Sequence, residues 1–194
     1  MTTPPNKPLF TSSRERSLWF GALAAVISIY STLGLAGTLA QALRHRNLLD
    51  TAFFVAFLLI VAAVVGSGLV KRTKWRVVWV ALGIIAVYGM LITRMFISPE
   101  ERTHLIEYGV VAALVYHALI ERAGNGRVVP YPAVFAVVLT TVLGWVDESI
   151  QALLPDRVYD IRDLGFNALA GIMAIVAILV LTRVREKQIG LLRR

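Results

Sequence analysis

Cysteine is absent from the 194-residue sequence, which excludes disulfides, thiol catalysis and Cys-ligated metals. Charge is scarce too: only 16% of residues are Asp, Glu, Lys or Arg, where a soluble domain carries about 25%. No Gly-rich phosphate loop, internal repeat or low-complexity tract interrupts the chain. What remains is apolar, with 57% hydrophobic residues and a mean hydropathy of +0.70. That balance reads as an integral membrane protein. The formal net charge of +8 suggests a nucleic-acid partner only until the charges are placed along the chain.

Six apolar segments, at about 18–43, 51–70, 75–97, 99–120, 131–152 and 164–182, each approach the roughly 20 residues needed to cross a 30 Å hydrocarbon layer. The expectation is an all-α polytopic bundle of six transmembrane helices. Residues 1–17 read as a mobile cytoplasmic tail, 18–184 as one transmembrane domain and 185–194 as a basic tail. Ala40-Gln41-Ala42 resembles a cleavage site, but the apolar run before it exceeds the 7–15 residues of a signal sequence, so an uncleaved span is expected. Ser98-Pro99-Glu100-Glu101 reads as a capped helix start. Gly124-Asn125-Gly126 breaks the chain, and Pro130 and Pro132 restart it.

Most of the 20 Lys and Arg residues fall on one side of such a bundle, in the termini and in the stretches around 71–76 and 122–127. The positive-inside rule then puts both termini in the cytoplasm and makes the basic charge a topological address rather than a nucleic-acid footprint. Most of the 12 acids fall on the other side. Acids contribute little to topology, so either they merely solvate the outer loops or they serve a site.

The densest polar stretch runs from Gly144 to Gly171. It holds Asp147, Glu148, Gln151, Asp156, Arg157, Asp160, Arg162, Asp163 and Asn167 between two apolar runs. Ionisable groups beside membrane-length segments are costly and usually serve a function or a partner. Asp160, Asp163, Asn167 and Gly171 fall at i, i+3, i+7 and i+11, one helical stripe. Asp147 reaches Gln151 at i+4. On the fourth segment, His104 shares a face with Glu107 and Tyr108. At about 1.5 Å of rise per residue, Asp147 sits roughly 22 Å above Pro132, Glu107 roughly 12 Å below the start of its helix and Asn167 roughly 10 Å in from Asp160. All three levels lie in the outer third of the membrane, so these groups are expected to line one outward-open cavity.

Blander readings exist for each residue. His104 alone is an interfacial histidine, and His45 and His117 look incidental. Glu107 needs a partner at its depth, and Arg94 is the expected one, as a structural pair. Gln151 and Asn167 tie helices together by hydrogen bonds. Gly171, Gly34 and Gly37 permit close helix contact, and Trp19, Trp75, Trp79 and Trp145 read as interfacial belt residues.

The series His104-x-x-x-Tyr108, Glu148-x-x-Gln151 and Arg157-x-x-Asp160-x-x-Asp163-x-x-x-Asn167 resembles the VanZ-like family of bacterial membrane proteins. The resemblance covers Glu101 to about Ala174, the motif-bearing part of residues 99–183; the first three segments match only in being apolar. Arg102-Thr103 stands where the family often has Lys, and Ala170-Gly171 stands where it often has Gly one residue earlier. The founding member of that family is linked to low-level teicoplanin resistance, so the resemblance implies a cell-envelope protein of the inner membrane. The outward polar site expected from the charge distribution suits an antibiotic that acts outside the cell on lipid-linked wall precursors.

From the residues and this resemblance, the expected ligand is a lipid-linked wall component or a lipoglycopeptide. The ligand-binding set is His104, Glu107, Tyr108, Asp147, Glu148, Gln151, Arg157, Asp160, Asp163 and Asn167. As an enzyme, the alternative reading, the chain would use His104 or Asp163 as general base, with Arg157 or Arg162 on a phosphate. A transporter is a third reading. No cofactor is expected; a divalent metal would fall to His104, Glu107, Asp147 and Asp163, a set suited to Mn or Mg. Membrane lipids are expected partners and nucleic acid is not.

Overall fold

A computed structural model of the chain describes residues 8–48, 51, 55, 75–94, 99–153 and 161–190. Among the described residues the structure is all-helical: α1 Ser13–His45, α2 Trp75–Arg94, α3 Pro99–Gly124, α4 Pro132–Gln151 and α5 Ile161–Gly190. Among these residues three stretches are long and apolar enough to cross a membrane: His104–Gly124 in α3, Pro132–Gln151 in α4 and Ile161–Lys187 in α5. The expected first span is the long helix α1, and the third contains a shorter apolar stretch, Val77–Met90, in α2. The second expected span lies outside the described residues apart from Thr51 and Val55.

Local chemistry sets the helix limits. Pro99 and Pro132 occupy first helical positions, where the missing N–H costs nothing. Tyr131 precedes α4 in the left-handed region, with φ 48°. α3 closes in a Schellman motif: Arg127 N–H donates to the Arg122 carbonyl at 3.2 Å and Gly126 N–H to that of Ala123 at 3.1 Å. Gly126 carries the positive φ, 84°, that this cap requires. α1 ends likewise, with Asn47 at φ 53° and Leu48 N–H donating to the Leu43 carbonyl at 2.9 Å.

The chain divides into two compact units. One contains α1 up to Ser31 together with His104–Ile175; the other contains Thr32–Thr103 and Val176–Arg194. In the second unit, α2 leaves Trp79, Leu82, Val87 and Met90 exposed.

The first unit packs round α3, whose span is 56% buried, against 28% for α4 and 22% for the span in α5. Leu105, Tyr108, Val111, Ala112, Val115 and Ala118 form the buried face of α3. Glycines let the neighbouring helices approach. A Cβ on Gly109 would meet the Ala170 carbonyl at 3.8 Å, and one on Gly171 would meet Val137 Cα at 3.7 Å and Ala112 and Thr140 Cβ at 3.8 Å. The close-contact role expected of Gly171 is therefore present. Val134, Phe135, Val138 and Val142 leave α4 on its exposed side, as a lipid-facing surface does.

Residues up to Ser17 were expected in a mobile tail, yet the described part of that stretch is pinned. Ser12 caps α1, its Oγ accepting from Glu15 N–H at 3.0 Å. The fully buried Glu15 carboxylate in turn accepts from Thr11 N–H and Thr11 Oγ, both at 2.6 Å, and from Arg122 at 2.8 Å. Ser12 Oγ also donates to Glu121 at 2.9 Å, and Arg122 and Arg127 donate to the carbonyls of Leu9 and Pro8. The start of α1 is thus clamped to the end of α3. Burial opposes ionisation of Glu15, but the hydrogen bonds from Thr11 and the Arg122 guanidinium outweigh it and hold the carboxyl below its ordinary range.

Candidate functional site: a buried polar cluster

The start of α3, the end of α4 and the start of α5 meet at one end of the first unit and carry most of its buried polar groups. α4 presents a single buried stripe, Ala136, Thr140, Gly144, Asp147, Glu148 and Gln151, at the spacing of one helix face. α3 contributes His104 and Tyr108, and α5 contributes Asp163 and Asn167. Asp147, Tyr108 and Asn167 are wholly buried and none of the others exceeds 8% exposure. These residues were expected to line an open cavity; instead the close approach of α4 and α5 encloses them.

Asp147 is the hub. Its Oδ2 accepts from Gln151 Nε2 at 3.3 Å, the i+4 contact expected from spacing, and lies 3.8 Å from His104 Nδ1. The His104 and Tyr108 rings stack at a tilt, 5.7 Å between centroids. The Tyr108 hydroxyl faces the Asp147 carboxylate, and Glu107, half-buried, acts on it electrostatically. Tyr30 of α1 acts on Tyr108 in the same way and donates to the Leu143 carbonyl at 2.7 Å, tying α1 to α4 one turn before Asp147.

Asn167 is set against the α4 backbone. A Cβ at Gly144 would fall 2.5 Å from Asn167 Nδ2, 2.6 Å from its Cβ and 2.7 Å from its Cγ. Among the described residues neither Nδ2 nor Oδ1 of Asn167 has a hydrogen-bond partner, nor has Thr140 Oγ1 or His104 Nδ1. Buried polar groups normally find partners. The expected reading of Asn167 as a simple interhelical tie is therefore not what its surroundings present.

Neither a protein-family model, nor a curated protein, nor a solved structure matches the chain. The chemistry of the cluster has to be read from its own groups.

His104, Tyr108, Asp147 and Gln151 come together, and Asn167 packs against Gly144 one turn away. Glu148 and Asp163 are buried at the same ends of α4 and α5, and Glu107 is half-buried beside Tyr108. Asp156, Arg157 and Asp160 lie outside the described residues, as does the Arg94 side chain. Arg162 is exposed, away from the buried face that carries Asp163. Among the described residues no three His, Asp or Glu side chains are grouped to hold a metal ion, so the set His104, Glu107, Asp147 and Asp163 does not form a metal centre there.

Tyr30, Thr140 and Gly144 escaped the sequence reading. Thr140, Gly144, Asp147 and Gln151 fall at i, i+4, i+7 and i+11, a one-face stripe like the i, i+3, i+7, i+11 series that drew attention to α5. That periodicity was the available signal for two of them. Tyr30 had none, since its contact joins residues 113 positions apart. Chemically, an imidazole beside a buried carboxylate can take and return a proton. The amide of Asn167 offers both a donor and an acceptor.

Proposed function

We propose that the chain is a cell-envelope membrane protein that binds the polar part of an amphiphile, a lipid-linked wall component or a lipoglycopeptide, at the buried polar end of α3, α4 and α5. One observation carries this reading: the wholly buried Asn167 carboxamide has no hydrogen-bond partner for either polar atom among the described residues, and it packs against Gly144, one turn before the buried Asp147 and Glu148. Polar and ionisable groups held inside membrane-spanning helices are expensive and mark functional sites. An amphiphile's head would supply the missing hydrogen bonds while its tail stays among the apolar outer faces. The resemblance to VanZ-like proteins in the same helices supports an envelope ligand. The proposed arrangement is six spans in the bacterial inner membrane, both termini cytoplasmic, with the polar end outward. Asp156, Arg157 and Asp160 would complete the head-group contacts.

The 3.8 Å approach of His104 to Asp147 favours one second reading, a hydrolase or transferase in which Asp147 orients His104 as general base. Native mass spectrometry of the purified protein with lipid-linked precursors separates the outcomes. An adduct lost in Asn167→Ala supports binding, a mass change in the precursor supports catalysis, and no adduct with any precursor sinks both.

A further inference from the structure

We propose a second site at the opposite end of the first unit, which binds the phosphate head group of an anionic phospholipid. A groove of about 330 Å³ lies between the first turn of α1 and the last turns of α3, lined by Arg14, His117, Ile120, Glu121, Gly124 and Asn125. His117 looks incidental in the sequence. In the structure it is exposed on the stripe of α3 that also exposes Ile106, Val110 and Ile120, a face made for lipid. At about 1.5 Å of rise per residue, His117 lies roughly 10 Å from the helix end at Gly124. A polar ring at that depth on an apolar stripe calls for a polar partner.

Arg14 supplies the charge. Its guanidinium acts electrostatically on the His117 imidazole, and its side chain is 73% exposed. One of its nitrogens sits 3.5 Å from Glu121 Oε2, a loose surface pair that, among the described residues, leaves most of its five N–H groups without a partner. The other Glu121 oxygen is occupied by Ser12 at 2.9 Å and Asn125 at 3.4 Å. Asn125 Nδ2 also donates to Thr11 Oγ1 and the Glu121 carbonyl. Arg122 is committed to Glu15 and Leu9, so Arg14 is the cation of this groove. A phosphate placed there would take the Arg14 fork bidentately and a hydrogen bond from His117. Its acyl chains would follow the Ile120 and Val110 stripe. Basic pockets between membrane helices on the side rich in Lys and Arg suit this class of head group.

The test is native mass spectrometry of the full-length protein in detergent, with phosphatidylglycerol and with phosphatidylcholine of matched chains. Phosphatidylglycerol should be retained in preference. Arg14→Gln and His117→Ala should each lower its retention about tenfold, the scale of one charge-assisted hydrogen bond. Arg14→Lys, which keeps the charge and the fold, should retain part of it. Glu121→Gln removes the competing carboxylate while leaving an acceptor for Ser12, and should raise retention. Arg16→Gln, beside a different groove lined by residues 8–13, should leave it unchanged. Equal retention of the two lipids, unaltered binding in Arg14→Gln and His117→Ala, or weakened binding in Glu121→Gln would overturn the proposal. So would displacement of the lipid by millimolar inorganic phosphate, which would make this a site for the free anion.

Discussion

Asn167 and Gly144 are in such close contact that α4 has no room for a side chain at residue 144. The obstructing atoms include Asn167 Cβ, at 2.6 Å, which cannot swing away as a terminal group would. This contact sets the spacing of α4 and α5 at the level of the polar cluster.

Gly144→Ala should therefore destabilise the protein by about 1–3 kcal/mol, the usual cost of overpacking a filled interface. Asn167→Ala on the same chain should restore only part of that loss, because it removes Nδ2 and Cγ but keeps Cβ. Thermal unfolding of the two single variants and the double variant measures the coupling. Strict additivity would show that the two residues do not touch.

The helices that carry the cluster were legible because each is an apolar run of membrane length bounded by proline, glycine or charge. Asp147 with Gln151, and Asp163 with Asn167, were legible because i+4 spacing places two residues on one face whatever the helix packs against. Contacts between helices were not. Tyr30 on the Leu143 carbonyl and Glu15 on Arg122 join residues 113 and 107 positions apart, and periodicity within one helix says nothing about its neighbour. The pinned start of α1 did leave a local trace: Ser12-x-x-Glu15 is a capping-box pattern inside a stretch that composition alone marks as a tail. The expected pairing of Arg94 with Glu107 falls on a side chain outside the described residues.

The clamp at the start of α1 should respond to acid. Because the folded state lowers the Glu15 pKa, ionised Glu15 stabilises the fold at neutral pH. That contribution is complete above the ordinary Glu pKa of about 4.3 and disappears as the pH falls through the lower folded value. Amide exchange at the start of α1 should accelerate below about pH 4 in the wild type, and Glu15→Gln should flatten that limb. Arg122→Met, which strands a buried carboxylate, should cost near the low end of roughly 3–5 kcal/mol, since Arg122 is itself partly exposed. An acid response unchanged by Glu15→Gln would assign it to another group.

Topology can be read directly because the chain has no cysteine. Val128 is 95% exposed in the turn between α3 and α4. Val128→Cys should resist an impermeant thiol reagent in intact cells and react after lysis, whereas Asp156→Cys should react in intact cells. The reverse pattern would place the polar cluster on the cytoplasmic side and remove the envelope ligand from consideration.

The last prediction separates site from scaffold at Asp163. This residue is nine-tenths buried on the face of α5 that also presents Asn167. Asp163→Asn keeps its size and most of its hydrogen-bonding capacity while removing one ionisable group. If the carboxylate meets a ligand or moves a proton, the variant should lose precursor binding and the envelope phenotype. Membrane yield should stay normal and the melting temperature should remain within a few degrees, since a near-isosteric change usually costs about 1 kcal/mol or less. Asn167→Ala should behave differently. Its amide makes no hydrogen bond among the described residues, so its loss costs packing against Gly144 and little else in the absence of ligand. The ligand-induced rise in melting temperature, rather than the melting temperature itself, should therefore be what Asn167→Ala abolishes. A fully active Asp163→Asn variant with an unchanged ligand-induced rise would mean that the carboxylate only joins helices. The general-base reading of Asp163 would then be the first to fall.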